Sequence, residues 1–125
     1  MLGIDIVRIA RIEQLLQRHP RRALERFLCP EEIALARTAQ SIAGFYAAKE
    51  AVSKALGSGI GPECGFHDIR IHKAPGGAPY FTLTRSIVER YEITETALSI
   101  THDGAYAIAV ATIMTTRASA RPLCH

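Results

Sequence analysis

The stretch Phe45 to Ile60, FYAAKEAVSKALGSGI, decides the fold of this chain. Its first part is rich in Ala, Lys and Glu, which are strong helix formers, and the Gly-Ser-Gly run from Gly57 predicts the end of a helix. Residues three or four apart share a helix face, and one face carries Tyr46, Glu50, Ser53, Lys54 and Gly57. The other face is small and apolar, and we expect it to be buried: Ala48, Ala51, Val52, Ala55 and Leu56.

The polar face of this helix indicates phosphate chemistry. Glu50 and Lys54 stand one turn apart, just before a glycine loop that we expect to offer free backbone N–H groups to a ligand. A carboxylate, an ammonium group and such a loop suit a phosphate held together with a divalent cation. The alternative is a surface ion pair, which stabilises a helix by only about 0.3 kcal/mol.

The bulk composition is typical of a globular protein with one domain. The chain has 125 residues, of which 48% are hydrophobic and 22% are charged. No apolar run reaches the roughly 18–20 residues of a membrane span, and the start, MLGIDIVRIAR, does not resemble a signal peptide, so we predict a cytoplasmic protein with no membrane partner. The three cysteines are widely spaced without a CxxC motif, and we expect free thiols.

Arginine is concentrated at the N-terminal end. Residues 1–26 contain six Arg and three acidic residues, and the rest of the chain is balanced, so this end accounts for the net charge of +3. A basic end on a neutral body predicts an acidic partner. Nucleic acid would match the charge, but the sequence has no groove-reading motif, and we predict no nucleic-acid partner.

The N-terminal half of the chain predicts one strand and then helices. An Ile- and Val-rich strand is expected at residues 2–9, and helices are expected at 9–19, at 21–28 and from Pro30 onward. We expect Ser41 to cap the central helix. Asp5 is unusual in a strand, because Asp is depleted there and costly to bury unpaired. It lies either at an exposed edge or with its carboxylate directed at a cation.

The C-terminal half predicts two hairpins separated by a short helix at residues 86–91. Alternating apolar residues predict strands at 66–72, 80–84, 98–101 and 106–114, the last two joined by a turn at Asp103-Gly104. This order makes the fold class α+β. We expect one domain at residues 1–115 and a flexible tail at 116–125.

Several blocks in order resemble one enzyme family. GIDIV at 3–7, AAKEAVSKALGSGI at 47–60 and SITHD at 99–103 are similar to the signature blocks of the holo-[acyl-carrier-protein] synthases, the small 4'-phosphopantetheinyl transferases. The segment with Gly77 and Pro79 and the closing YAIAVA at 106–111 also fit. The resemblance extends from the first residues to about Ile113.

The resemblance implies a fold and a reaction. The fold would be phosphopantetheinyl-transferase-like, with an antiparallel-rich sheet, a long central helix and one half-unit per chain, assembled as a homotrimer with active sites between subunits. The reaction would move the phosphopantetheine arm of coenzyme A to a serine of apo acyl carrier protein and release 3',5'-ADP. Asp5 and Glu50 would bind Mg²⁺, and Glu50 is the candidate base.

The same resemblance implies the coenzyme contacts. Lys54 would face the phosphates as a third catalytic residue. Further coenzyme contacts would come from the glycine loop and from the end of the SITHD block: Gly57, Ser58, Gly59, Ser99, Thr101 and His102. A lone His is otherwise more often structural. For Lys49, which lies off the Glu50 face, solvation and phosphate contact are equally open.

Two positions depart from the family pattern. The family's RFAAKEA-like block has Arg before the aromatic residue, where this chain has Phe45 before Tyr46. This concerns how one of the coenzyme's phosphates is held. Cys29 occupies the place of a Ser or Thr helix cap, which should affect stability more than chemistry.

Acyl carrier proteins are acidic, so the N-terminal arginines become docking candidates: Arg11, Arg18, Arg21, Arg22 and Arg26. A solvated surface role is the alternative for each of them. Two other functions remain open, another Mg²⁺-dependent phosphate enzyme such as a small nuclease and a non-catalytic or impaired module that binds the carrier protein.

Overall fold

The computed structural model describes residues 1–116, and residues 117–125 of the predicted tail lie outside this range. The described strands are β1 (Leu2–Arg8), β2 (Ile69–Lys73), β3 (Pro79–Leu83), β4 (Ile93–Asp103) and β5 (Tyr106–Thr115). The described helices are α1 (Ile9–Arg18), α2 (Pro20–Phe27), α3 (Pro30–Leu35), α4 (Ala39–Leu56) and α5 (Arg85–Tyr91), with a 3-10 turn at Phe66–Asp68.

An antiparallel sheet in the order β1-β5-β4 carries α4 on one face, and β2 and β3 form a separate antiparallel hairpin. The sheet and α4 approach closely because their facing residues are small and fully buried: Ala107, Ala109 and Ala111 in β5, and Ala47, Ala48 and Ala51 in α4. At Gly3 a Cβ atom would overlap the carbonyl oxygen of Ala51. This close approach sets the position of β1, and therefore of Asp5, against α4.

The α+β class and the long central helix are confirmed. α4 ends where the sequence predicted, with Gly57 as its C-cap in the left-handed conformation (φ 83°). Its predicted cap was wrong, because Thr38 is the N-cap and its Oγ1 accepts the backbone N–H of Ser41 at 3.1 Å. At α3, Glu32 Oε1 accepts the backbone N–H of Cys29 at 2.8 Å, so this donor at the cap position is satisfied.

The C-terminal strands differ from their predicted bounds. β4 begins at Ile93 rather than at residue 98, because its polar first half pairs with β5 up to Thr115. The first residues of the predicted strand at 66–72 form the 3-10 turn instead. Asp103 pairs with Tyr106, so the hairpin turn consists of Gly104 (φ 46°) and Ala105, one residue later than predicted.

The predicted tail begins with a residue that is held in place. Thr116 donates its backbone N–H to the carbonyl oxygen of Glu92 at 3.1 Å, and its Oγ1 lies 3.0 Å from the Glu92 carboxylate. The remainder of the predicted tail lies outside the described residues.

Candidate active site

Asp5 and Lys54 form an ion pair where β1 meets α4. Asp5 is in register with Ala109, which is fully buried beneath α4, so the Asp5 carboxylate lies on the helix side of the sheet. Its Oδ1 is 2.8 Å from Nζ of Lys54, which also lies 3.3 Å from the carbonyl oxygen of Ile4. The Asp5 side chain is only 15% exposed, so the exposed-edge alternative for Asp5 is wrong.

Glu50 brings a second carboxylate to this pair. It is half-buried and precedes Lys54 by one helical turn. Burial raises the pKa of Glu50, and the negative charge of Asp5 raises it further. The charges of Lys54 and Arg11 and a hydrogen bond with Tyr46 lower it. The three residues predicted to be catalytic therefore lie together.

Asp5 and Glu50 form a donor set that suits Mg²⁺. This ion takes oxygen ligands and is usually held by one or two carboxylates, with waters and substrate phosphates in the other positions. Within residues 1–116, no group of three or more His, Cys, Asp or Glu side chains could form a metal cage. A cation beside both carboxylates would also relieve the repulsion that raises the pKa of Glu50.

Lys49 lies in the core, away from this site. Its side chain is fully buried, and Nζ is 2.9 Å from Glu32 Oε1, 2.6 Å from the carbonyl oxygen of Phe27 and 3.0 Å from that of Phe66. Glu32 is itself satisfied, because its Oε2 accepts the backbone N–H of Ile71 at 2.8 Å. Both roles considered for Lys49, solvation and phosphate contact, are therefore wrong.

The glycine loop after α4 differs from the predicted ligand cradle. The backbone N–H of Gly57 donates to the carbonyl oxygen of Lys54 at 3.0 Å, and that of Gly59 donates to the carbonyl oxygen of Ser53 at 3.1 Å. These two N–H groups close the helix end and are not free, which corrects the prediction. The Ser58 hydroxyl donates to the carbonyl oxygen of Gly59 at 2.9 Å.

Ser53 also differs from its predicted place on the polar face. It is fully buried, and its Oγ donates to the carbonyl oxygen of Glu50 at 2.7 Å. A serine hydroxyl can donate a hydrogen bond to a backbone carbonyl of its own helix. Burial of Ser53 therefore leaves its hydroxyl paired.

The predicted coenzyme contacts on β4 lie away from Asp5. Because β5 separates β1 from β4, the two strands are about 10 Å apart. His102 is in register with buried Ala107, on the α4 side of the sheet. Ser99 and Thr101 alternate to the opposite face. Within one chain, these three residues do not join the Asp5 cluster.

His102 lines a cleft of about 170 Å³ between the start of α4 and the β2–β3 turn. Other residues of this cleft are Ser41, Gly44, Phe45, Lys73, Gly77 and Pro79. Phe45, which replaces the family's usual Arg, is 2% exposed and belongs to the hydrophobic core. The departure from the family pattern therefore lies at the edge of the His102 cleft.

A second cleft, the basic cleft, lies beside Glu50. Its volume is about 460 Å³, and its lining includes Arg11, Leu15, Arg26, Phe27, Tyr46 and Phe66. The Arg11 guanidinium lies 5.9 Å from the centroid of the Tyr46 ring. The cleft thus combines an apolar floor with two positive charges, and its Tyr46 lies one helical turn before Glu50.

The remaining predicted docking arginines are exposed on α1 and α2. Arg21 pairs with Glu25 at 2.8 Å, which partly neutralises it. Arg22 lines a neighbouring cleft together with Arg26, and Arg18 ends α1. Arg11 and Arg26 are therefore the two docking candidates that line the basic cleft.

Sequence reasoning missed the aromatic part of the basic cleft. The Tyr46 ring packs edge-on against Phe27, with centroids 5.2 Å apart, and lies 5.6 Å from the Phe66 ring. We call these three rings the aromatic wall. Phe27 and Phe66 are distant in sequence, and their apolar spacing gave no signal that distinguishes a cleft wall from the core.

Comparison with known proteins decides the family. Residues 1–111 match the model of the 4'-phosphopantetheinyl transferase superfamily. The chain belongs to this superfamily. It is 58% identical over 118 residues to the holo-[acyl-carrier-protein] synthase of Wolinella succinogenes, and the match covers 94% of this chain and 100% of that relative.

Solved structures agree with this assignment. Helicobacter pylori holo-[acyl-carrier-protein] synthase in complex with coenzyme A superposes with a TM-score of 0.89 at 50% identity, covering 91% of this chain and 100% of that chain. The Bacillus anthracis synthase in complex with CoA (3',5'-ADP) gives a TM-score of 0.77 at 33% identity, covering 92% and 96%. The predicted family, fold and enzyme class, a phosphopantetheinyl transferase, are confirmed. In residues 1–116, every helix is too short or too polar to cross a membrane.

Proposed function

We propose that this transferase moves the 4'-phosphopantetheine group of coenzyme A to a serine of apo acyl carrier protein, releases 3',5'-ADP and depends on Mg²⁺. The observation that carries the proposal is the convergence of Asp5, Glu50 and Lys54 beside the basic cleft. The relatives are holo-[acyl-carrier-protein] synthases, and this cluster supports the same chemistry. A cytoplasmic location and a place in fatty acid biosynthesis belong to the proposal.

Asp5 and Glu50 are the proposed Mg²⁺ ligands. The bound ion would neutralise negative charge on the pyrophosphate of coenzyme A. Asp5 Oδ1 already accepts a hydrogen bond from Lys54 at 2.8 Å, so its second oxygen is the proposed ligand atom. Lys54 would then remain beside the same phosphates and offset charge on the leaving group.

Glu50 is the proposed general base. Its pKa is raised, first by burial, and a carboxylate with a raised pKa is a stronger proton acceptor as long as it stays ionised. Glu50 would take the serine proton as the serine oxygen bonds to phosphorus. The bond from phosphorus to the bridging oxygen breaks, and its electron pair leaves with 3',5'-ADP.

The coenzyme contacts are proposed at the helix end and at β4. Gly57, Ser58 and Gly59 begin three residues after Lys54, and the positive φ of Gly57 (83°) and Gly59 (66°) gives a tight turn whose backbone a ligand can approach closely. His102 would contact the coenzyme from its own cleft. Ser99 and Thr101 lie on the opposite face of the sheet from α4, so they would reach a coenzyme only where another subunit covers that face.

The proposed homotrimer accounts for this outer sheet face. In residues 1–116 it exposes large apolar side chains, with Leu2 at 67%, Ile4 and Ile6 at 58% and Met114 at 52% exposure. A sheet face of this kind is typical of a subunit interface. We propose that further copies of the chain cover it and bring active-site residues of two subunits together.

The oligomeric state is tested by analytical ultracentrifugation. We expect the wild type to sediment as a trimer and Ile4→Asp to dissociate it. A monomeric wild type would contradict the proposed homotrimer.

The proposed carrier-protein surface is the basic cleft and the exposed arginines around it. Arg11 and Arg26 line the cleft, and Arg18, Arg21 and Arg22 extend the charge along α1 and α2. Charge complementarity with an acidic carrier protein would speed association, and this gain would fall with ionic strength.

The function is tested by weighing an apo acyl carrier protein after incubation with the enzyme, coenzyme A and Mg²⁺. We expect a mass gain of one phosphopantetheine group, lost with a chelator and with Glu50→Gln. No gain with several carrier proteins, from a folded enzyme, would contradict the proposal and favour a binding module. A gain that survives Glu50→Gln would retain the transferase and remove Glu50 as its base.

A further inference from the structure

Lys49 lies directly behind the aromatic wall of the basic cleft. Its ammonium group has three N–H donors, and the described structure gives each an acceptor: the carbonyl oxygens of Phe27 and Phe66, at 2.6 and 3.0 Å, and Glu32 Oε1, at 2.9 Å. Both carbonyls belong to residues whose rings form the wall. The Lys49 side chain is 0% exposed, and all three of its N–H donors have acceptors. It therefore has no donor left for a phosphate.

The two carbonyls lie at the ends of two chain segments, and that of Phe66 also accepts the backbone N–H of Ile69. Phe27 is the last residue of α2, and the final carbonyls of a helix lack partners within it. Phe66 is the first residue of the short turn that follows the glycine loop. Lys49 therefore ties two chain segments, which are far apart in sequence, to the same point of α4.

The position of these segments decides the position of Tyr46. Its ring packs against the Phe27 and Phe66 rings, which also contact each other with centroids 6.0 Å apart, and the Arg11 guanidinium lies 5.9 Å from its centroid. Tyr46 also lies one turn before Glu50 on α4 and contacts its carboxylate. A shift of either neighbouring ring would change the cleft wall, whereas the contact between Asp5 and Lys54 involves none of the three rings.

We propose that Lys49 is a positioning residue for carrier-protein binding, because it fixes the Phe27 and Phe66 carbonyls and thereby the aromatic wall of the basic cleft. This inference rests on the proposed function, in which the carrier protein docks at that cleft. It assigns Lys49 no contact with coenzyme A. The two substrates should therefore respond differently to its removal.

The test compares Lys49→Met with Glu32→Gln in the full chain, on the folded fraction, with coenzyme A, Mg²⁺ and an apo acyl carrier protein. Lys49→Met removes both carbonyl contacts. Glu32→Gln keeps Lys49 and its bonds to Phe27 and Phe66, but weakens the ion pair and loses one of the two oxygens that accept the Cys29 and Ile71 N–H groups. For Lys49→Met we expect KM for the carrier protein to rise roughly tenfold, which corresponds to about 1.4 kcal/mol of binding. KM for coenzyme A should change less than about twofold. Glu32→Gln should keep both KM values near those of the wild type.

Two further variants guard against a purely structural explanation. Ile87→Ala removes a buried side chain of α5, which is 2% exposed and outside both clefts, and should lower the melting temperature without changing either KM. Phe66→Leu keeps the backbone carbonyl and shortens the wall, and should reproduce the rise in carrier-protein KM.

The outcomes separate this inference from the function itself. If the wild type transfers the group and Lys49→Met keeps the carrier-protein KM of the wild type, the positioning role is wrong and the transferase remains. Equal rises in both KM values, or an equal rise in Glu32→Gln, would also overturn it. If Lys49→Met does not fold, Lys49→Gln keeps one donor group and should show a smaller rise; failure of both to fold would make Lys49 a folding residue only. Absence of transfer by the wild type would overturn both the inference and the proposed function.

Discussion

Two lysines of α4 form ion pairs of nearly the same length in opposite surroundings. Lys49 lies 2.9 Å from Glu32 with both side chains at most 1% exposed, and Lys54 lies 2.8 Å from Asp5 with 52% and 15% exposure. Burial lowers the pKa of Lys49, whereas the hydrogen bond to Asp5 raises that of Lys54. Bond length therefore does not distinguish a structural pair from a functional one; burial and neighbouring groups do.

The largest effect is expected from removing the buried lysine. Lys49→Met leaves the Glu32 carboxylate buried without its charge partner, and breaking a buried pair on one side typically costs about 3–5 kcal/mol. We expect a loss of that size in the free energy of unfolding, measured by urea denaturation. A loss below about 1 kcal/mol in the free energy of unfolding would mean that water or a neighbouring group stabilises the unpaired Glu32 charge. The Lys49–Glu32 pair would then contribute no more than a surface pair.

Removing both buried partners should restore only part of this stability. Replacing a buried ion pair with apolar residues is often nearly neutral, but this pair also satisfies the Phe27 carbonyl and the Cys29 and Ile71 N–H groups. Lys49→Met combined with Glu32→Leu should remain about 2 kcal/mol less stable than the wild type, since backbone groups stay unpaired. Full recovery in the double-mutant cycle would show that those backbone contacts contribute little.

The exposed pair should contribute little to stability. Lys54→Met should lower the free energy of unfolding by less than about 1 kcal/mol, because solvent and salt screen a half-exposed pair. Raising the salt concentration should narrow even this difference. A loss as large as that of Lys49→Met would remove the contrast between the two lysines.

The smallest effect that we expect is the pH dependence of the stability that the Lys54–Asp5 pair contributes. The pKa of Lys54 is raised in the folded state by Asp5, so its stabilisation is complete below the unfolded pKa and is lost as pH rises through the folded pKa. The difference in stability between wild type and Lys54→Met should be constant below the ordinary Lys pKa of about 10.4 and should shrink as pH rises above it. A difference that grows with pH would contradict the Asp5 contact.

The residues of the exposed pair could be singled out from the sequence, although their contact could not, and the buried pair gave no signal. Helical spacing placed Glu50 and Lys54 on one face, and an Asp within an apolar strand indicated a special role for Asp5. Lys49 has no such signal, because its partner Glu32 is on another helix and Lys is rarely buried unless it is paired. Similarly, the glycine loop predicts a turn, but only the folded backbone shows that the N–H groups of Gly57 and Gly59 are already used.

In the C-terminal half, too, local patterns in the sequence predicted some features, and others depend on tertiary pairing. Alternation predicted the β4–β5 hairpin, whereas the polar first half of β4 becomes a strand only through pairing with β5. His102, Ser99 and Thr101 were predicted as one set of contacts, and the sheet divides them between two faces. This separation follows from the alternation of side chains once His102 belongs to the strand, whereas the predicted strand ended at residue 101.

The most direct test of the account is the rate of transfer from coenzyme A by Lys54→Met and Lys49→Met, side by side, at saturating carrier protein and equal folded concentration. We predict that Lys54→Met loses about 100-fold or more in kcat/KM for coenzyme A, because it removes charge stabilisation at the phosphates. Lys49→Met should stay within about threefold of the wild type. The opposite order, with Lys49→Met inactive and Lys54→Met unaffected, would contradict the assignment of chemistry to the exposed pair and structure to the buried one.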